Sequence, residues 1–160
     1  MSQSFTYPSP IGLIQIDCNS QAVSRIHFVE HECEKTDIEP ELEDLIVRQL
    51  DDYFRGRLFH FNLPISPEGT DFQKKVWKEL KTISYGQSVS YLELALRLGD
   101  KKLVRAVGSA NAKNPLPIIV PCHRVIGSNK KLVGYAGGLW RKKWLLRHEL
   151  EFRPYSNELF

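Results

Sequence analysis

The sequence predicts a small α/β domain followed by a mainly α domain built around a helix-turn-helix. Three observations lead there. Two β-rich runs, residues 11–16 and 23–29, flank Asn19-Ser20-Gln21 in the pattern of a hairpin. Segments with apolar residues at helical spacing fill the stretch from 71 to 112. Between these regions Pro64, Pro67 and Gly69 mark a boundary, which divides the chain into domains at 1–68 and 69–160. The charge changes sign there: 5 Lys/Arg stand against 12 Asp/Glu in residues 1–68, and 17 against 7 in residues 69–160, a net −7 beside a net +10.

The Pro8-Ser9-Pro10 turn precedes the hairpin, so a small sheet opens the chain. Residues 30–41 are acidic and poor in apolar positions, which predicts a loop. Pro40 stands where a helix can begin, and that helix sets Leu42, Leu45, Ile46, Leu50, Tyr53 and Phe54 on one face before Gly56 stops it. Residues 58–63 read as one more strand. In the second domain Thr70 and Gln73 have the spacing of a capping box, ahead of a helix over 71–82 with Phe72, Val76, Trp77 and Leu80 in its stripe. Ser90 and Glu93 repeat that spacing and open a short helix that Gly99 closes. A third helix spans 101–112 and a last one 139–150. Two helices joined by a tight glycine turn are the sequence form of a helix-turn-helix, and equally of a plain αα-hairpin.

A length of 160 residues with 42% apolar content suffices for a real core. The N-terminus has neither a basic nor an apolar signal region, and no apolar run approaches the roughly 20 residues that span a bilayer. A soluble, cytoplasmic protein with no membrane partner is expected. Cys18, Cys33 and Cys122 are odd in number and widely spaced, as free thiols in a reducing compartment are. The basic second domain suits a polyanion, because Lys and Arg gain from neutralising phosphates; two solvated faces of opposite sign give the same counts.

On the third helix, at about 100° per residue, Leu103, Ala106, Val107 and Ala110 cluster on one side. Arg105 lies opposite, among Lys101, Lys102, Gly108, Ser109 and Ala112. A basic face nearly free of bulky side chains can press closely on DNA, and a glycine inside a helix, at a cost on the order of 1 kcal/mol, usually has a packing or functional reason. The alternative is a solvated face.

The segment from Asn114 to Val125 places an apolar run between Pro115, Pro117 and Pro121 and ends it at Cys122. Prolines fix φ and withhold N–H groups, so the cysteine sits on a stiff, non-helical support. His123 and Arg124 follow it and supply groups that favour the reactive thiolate, whereas Cys18 and Cys33 read as structural. In extended backbone His123 would point away from the sulfur, and a bridging water resolves this. Glu149 on the final helix is available to orient the imidazole. Cys122 and His123 are adjacent and no second Cys/His pair shows ligand spacing, which argues against zinc. Residues 131–138, Lys131-Leu132-Val133-Gly134-Tyr135-Ala136-Gly137-Gly138, form a glycine-containing loop that can wall a pocket or simply be a surface turn.

These residues resemble the O6-alkylguanine-DNA alkyltransferases. The resemblance covers residues 70–150 well and rests on Pro121-Cys122-His123-Arg124-Val125, Ser90-Tyr91, Arg105-Ala106-Val107-Gly108, Asn114-Pro115 and Tyr135-Ala136-Gly137-Gly138. Ser9-Pro10-Ile11-Gly12 resembles the opening of the family's first domain. The resemblance implies a ribonuclease H-like first domain and a winged-helix-like second one. It implies that Cys122 accepts an alkyl group from O6 of guanine in duplex DNA, possibly also from O4 of thymine, in one irreversible transfer by a monomer. His123 would be the base acting through water, with Glu149 behind it and Asn114 orienting the chain. Tyr91 would donate a proton to the leaving guanine, and backbone groups at Cys122 and Val125 would read the base edge. Tyr135, Ala136, Gly137 and Lys142 would line the pocket. Arg105 would enter the minor groove in place of a flipped guanine, and Ser90, Ala106, Gly108, Ser109 and Arg124 would also meet DNA. Ala136 stands where many relatives have serine, which leaves only a backbone N–H for O6. Cys18 and Ser24 depart from the zinc ligands of some relatives, so neither metal nor cofactor is expected. Two rival functions are a non-catalytic sensor of alkylated bases, against which Cys122 argues, and a cysteine hydrolase, for which no oxyanion hole is apparent.

Overall fold

Three antiparallel strands, β1 (Ser2–Ser9), β2 (Gly12–Asn19) and β3 (Ala22–Val29), form the first layer of the computed structural model, which describes residues 2–127 and 132–154. The anticipated hairpin is β2–β3, with Ile14, Ile16 and Cys18 of β2 buried at every second position. Strand β1 was not anticipated. Pro8 lies within it, paired with Leu13 on an edge strand where a missing N–H need not break the ladder, so the sequence looks like a turn one step too early. The turn itself is Pro10-Ile11.

Helix α1 (Pro40–Phe54) has Pro at its start and buries Leu42, Ile46, Leu50 and Tyr53, as its periodicity predicts. It meets the sheet where Tyr7 donates to Asp51 and its ring packs on Phe54. Residues 58–63 are not a strand. At Asn62 a side chain takes the place of a neighbouring strand, since Gln49 Nε2 donates to the Asn62 carbonyl and Gln49 Oε1 accepts from the Asn62 N–H. Phe59 and Phe61 pack on Tyr85 and Tyr53 instead. Only Ile65 joins the sheet, bridging Val23 of β3.

The second half begins with α2 (Asp71–Leu80), whose capping box is complete: Thr70 Oγ1 accepts from the Gln73 N–H while Gln73 Oε1 accepts from the Thr70 N–H. A two-residue strand, β4 (Val89–Ser90), leads into α3 (Tyr91–Arg97), where Ser90 Oγ caps the Glu93 N–H. After Gly99 in the left-handed region, Lys101–Leu103 wind as a 3-10 turn before α4 (Val104–Ala112). Strand β5 (Val125–Ile126) pairs in parallel with β4, and α5 (Leu139–Phe152) closes the chain. Trp77 Nε1 donates to the Ala110 carbonyl and fixes α2 against α4. Among the described residues no helix is long and apolar enough to cross a membrane.

On α4 the buried side is Val107, Ala110 and Asn111. Ala106, expected on that side, is exposed: it lies about 100° from Val107, beyond the stripe's edge. Replacing the capping threonine, Thr70→Ala, removes one bond from the N-terminus of α2. Urea unfolding of this variant is expected to show a loss of about 1 kcal/mol with an unchanged slope.

Candidate active site

The support for the cysteine is built by one asparagine and one strained residue. Asn114 Nδ2 donates to the Val120 carbonyl at 2.8 Å, and Asn114 Oδ1 accepts from the Leu116 N–H at 2.9 Å, which closes residues 114–120 into a fixed loop. Within it buried Ile118 has φ of 76°, a left-handed value that a β-branched residue holds only under packing, at a cost of order 1–3 kcal/mol. Cys122, His123 and Arg124 then wind as a 3-10 turn rather than extending. The alternation expected for extended backbone therefore does not apply to His123.

Cys122 is only 6% exposed and borders a cavity of about 430 Å³. Burial pushes its thiol up to about 11, against the opposing influence of the Asn114 side chain, the Lys142 charge and a backbone N–H. The resting sulfur is thus protonated near neutrality, and a base is needed to activate it. A buried imidazole follows the cysteine in the chain. His123 is fully buried, its Nε2 lies 2.7 Å from Glu149 Oε2, and its Nδ1 has no protein partner. Burial lowers the imidazole's pKa, although Glu149 pulls the other way.

Glu149 gathers four donors besides the histidine. Arg124 donates through Nε to Oε1 at 2.8 Å and through Nη2 to Oε2 at 3.0 Å, Tyr53 Oη donates to Oε2 at 2.7 Å, and the Gly86 N–H reaches Oε1 at 3.3 Å. Burial alone would raise this carboxyl's pKa; His123 and Arg124 instead hold it well below the usual carboxylate range.

Arg124 needs a correction, since it was expected at the DNA surface. It is buried, with Nη1 donating to the Ile83 carbonyl at 2.7 Å and the remaining bonds on Glu149. A guanidinium so engaged cannot reach a phosphate. Arg105, Ser109 and Ala106 are exposed on α4, Gly108 is half-buried with Tyr91 beside it, and Ser90 is half-buried with its oxygen occupied as a cap. Tyr91 Oη donates to the Val133 carbonyl at 3.3 Å. Burial raises its pKa, which the Asn111 side chain opposes. Lys142 is buried and donates from Nζ to the same carbonyl at 2.7 Å, and burial lowers its pKa to about 8. Val125 is fully buried in β5. Tyr135, Ala136 and Gly137 border the cavity with Cys122, as expected of a pocket wall; Lys131 at the loop's start lies outside the described residues.

Sequence reasoning missed Arg25, His27 and Phe28, which bring β3 to the cavity, together with Asn111 and Arg141. No local pattern marks them. Their role comes from contacts between the chain's two halves, except for Asn111, a buried polar residue at a helical position that faces inward.

Fold and site together match known proteins. The sequence model of the 6-O-methylguanine DNA methyltransferase DNA-binding domain matches residues 71–151, and that of the family's ribonuclease-like domain matches residues 5–67. The chain belongs to the 6-O-methylguanine DNA methyltransferase family. Within this methyltransferase family, the methylated-DNA–protein-cysteine methyltransferase of Methanosarcina acetivorans is 45% identical over 148 residues, 89% of this chain and 95% of its own. The crystal structure of the O6-methylguanine methyltransferase of Mycobacterium tuberculosis aligns with a TM-score of 0.84 at 40% identity, covering 100% of this chain and 99% of that one. A Mycobacterium tuberculosis structure in complex with DNA aligns at 0.83 and 42%, covering 94% of each.

The charge cluster makes the methyltransferase fold sensitive to pH in a defined direction. Because the folded pKa of Glu149 lies below its ordinary value of 4.5, its contribution to stability is present above that pH and is lost as pH falls below it. Glu149→Gln leaves Arg124 buried without a counter-charge. Denaturant unfolding at pH 7 is expected to show a loss of roughly 3–5 kcal/mol, with a flatter dependence on pH below 4.5 than the parent chain has.

Proposed function

We propose that this chain repairs DNA by transferring an alkyl group, methyl above all, from O6 of guanine to Sγ of Cys122, once per molecule. The observation that carries the reading is a nearly buried thiol at a cavity wall, with the fully buried His123–Glu149 pair next to it in the chain. The free Nδ1 of His123 takes the thiol proton, directly or through water, and Glu149 stabilises the imidazolium that results. Lys142, which opposes the rise in the thiol's pKa, favours the thiolate.

The thiolate attacks the alkyl carbon in line. A carbon–sulfur bond forms, the carbon–O6 bond breaks, and the electron pair passes to the purine, which Tyr91 protonates; the proton that His123 took from the thiol restores the Tyr91 phenol through solvent. The net exchange is one alkyl group for one thiol proton. Backbone groups of Cys122 and Val125 meet the base edge, and the Ala136 N–H meets O6. Tyr135 and Gly137 close the alkyl side.

Attack from within a stacked duplex is geometrically blocked, so the base must leave the helix. Arg105 fills the vacancy from the minor-groove side, and the small residues Ala106, Gly108 and Ser109 allow α4 to approach closely. A thioether offers no hydrolytic exit, so the protein is consumed; we take it to act as a monomer.

Two experiments test this. Intact mass spectrometry after mixing with duplex DNA containing O6-methylguanine is expected to find one methyl per molecule, on Cys122, with no turnover under excess substrate. Cys122→Ala should abolish transfer while DNA affinity is retained; multiple turnovers, or a methyl only on Cys18 or Cys33, would sink the reading. For Arg105→Ala, duplex repair should slow by about one or two orders of magnitude, since unstacking a base costs a few kcal/mol. Reaction with free O6-benzylguanine, which needs no extrusion, should hardly change, and equal losses on both substrates would assign Arg105 to the fold instead.

A further inference from the structure

One wall of the cavity that Cys122 borders is a short segment with a left-handed glycine at each end, Gly134 at φ of 61° and Gly138 at φ of 96°. Such ends allow a loop to swing, because glycine adopts these values at little cost. Lys142 Nζ and Tyr91 Oη hold the near end at the Val133 carbonyl, and another side chain ties the far end to the N-terminal sheet. Arg141, at the start of α5, donates from Nη1 to the Gly137 carbonyl at 2.7 Å and from Nε to the Ile11 carbonyl at 2.7 Å. Ile11 belongs to the first turn of the N-terminal sheet, 130 residues away. The same guanidinium lies 4.1 Å from the ring centroid of Phe28 on β3 and 4.6 Å from that of Trp140. Phe28 in turn presses on the wall: a Cβ on Gly137 would come within 2.6 Å of its ring. Phe28, Gly137, Arg141 and Cys122 all border one cavity.

We infer that Arg141 is a positioning residue that latches the alkyl-side wall to the N-terminal sheet, and that Phe28 and the wall thereby set the size of alkyl group accepted. This rests on the reading of Cys122 as alkyl acceptor. The planar fork of a guanidinium suits the task, since it spans two carbonyls while stacking on a ring, which an ammonium cannot do. With the latch intact, a small substituent on O6 is confined against the sulfur. Without it the wall recedes, which misplaces a methyl group but makes room for a bulky one.

The test uses the full chain and the variants Arg141→Ala, Arg141→Lys, Phe28→Ala and the Arg141/Phe28 double alanine. Single-turnover rates are measured on matched duplexes carrying O6-methylguanine or O6-benzylguanine, which holds extrusion constant. Arg141→Ala should raise the benzyl-to-methyl rate ratio by about fivefold or more, Arg141→Lys should not restore the parent ratio, and the double variant should exceed neither single by much. Affinity for undamaged duplex should stay as in the parent. An unchanged ratio, with both rates falling together, overturns the inference, as does full rescue by lysine.

Hydrogen exchange of the DNA-free chain separates this from the proposed function. The amides of residues 134–138 should exchange about tenfold faster in Arg141→Ala while those of α4 do not change. Equal protection in both proteins removes the latch, whatever the chemistry. Faster exchange in a chain whose parent form never gains an alkyl group keeps the latch and overturns the proposed function.

Discussion

One buried carboxylate organises this molecule. Glu149 is 1% exposed, and a charge so placed persists only when donors surround it. Those donors come from distant points in the chain: Tyr53 from α1, Gly86 from the connection after α2, and His123 and Arg124 from the turn that bears the cysteine. Each bond therefore also fixes one segment relative to another. The orientation of His123 and the docking of the N-terminal half are consequences of the same desolvated group.

The cluster also explains why the thiol is quiet at rest. A cysteine exposed beside two cations would ionise and react with any electrophile it met. Here the cation nearest in sequence, Arg124, is spent on Glu149, and burial keeps the sulfur protonated with a pKa of about 11. In the proposed reaction, proton removal falls to the unpartnered Nδ1 of His123. Cys18, in the sheet, has burial without such a base, and its pKa is likewise raised to about 11. Burial alone does not distinguish the two cysteines; the neighbouring imidazole does.

Much of this was legible in the sequence where the signal is local. The capping box at Thr70, the apolar face of α1 and the proline-braced approach to Cys122 all depend on residues within a few positions of one another, and all appear where expected. The failures share a different origin. Residues 58–63 have a strand's composition, but Asn62 pairs its backbone with the side chain of Gln49, which periodicity cannot reveal. Pro8 disguised an edge strand as a turn. Arg124 follows the cysteine in a basic domain and so resembled a DNA contact; its true partner lies 25 residues on. The β3 residues at the cavity were invisible because only tertiary packing brings them there.

The separation of 96 residues between Tyr53 and Glu149 also has a meaning in time. A chain is made from its N-terminus, and the glutamate lies on the last helix described. While residues 1–148 alone exist, Cys122 and His123 are present, yet the imidazole has no carboxylate to orient it and Arg124 has no counter-charge. The buried cluster is thus completed last, by closure of its longest loop, so a nascent or truncated chain carries the cysteine beside a histidine and an arginine that still lack their shared carboxylate.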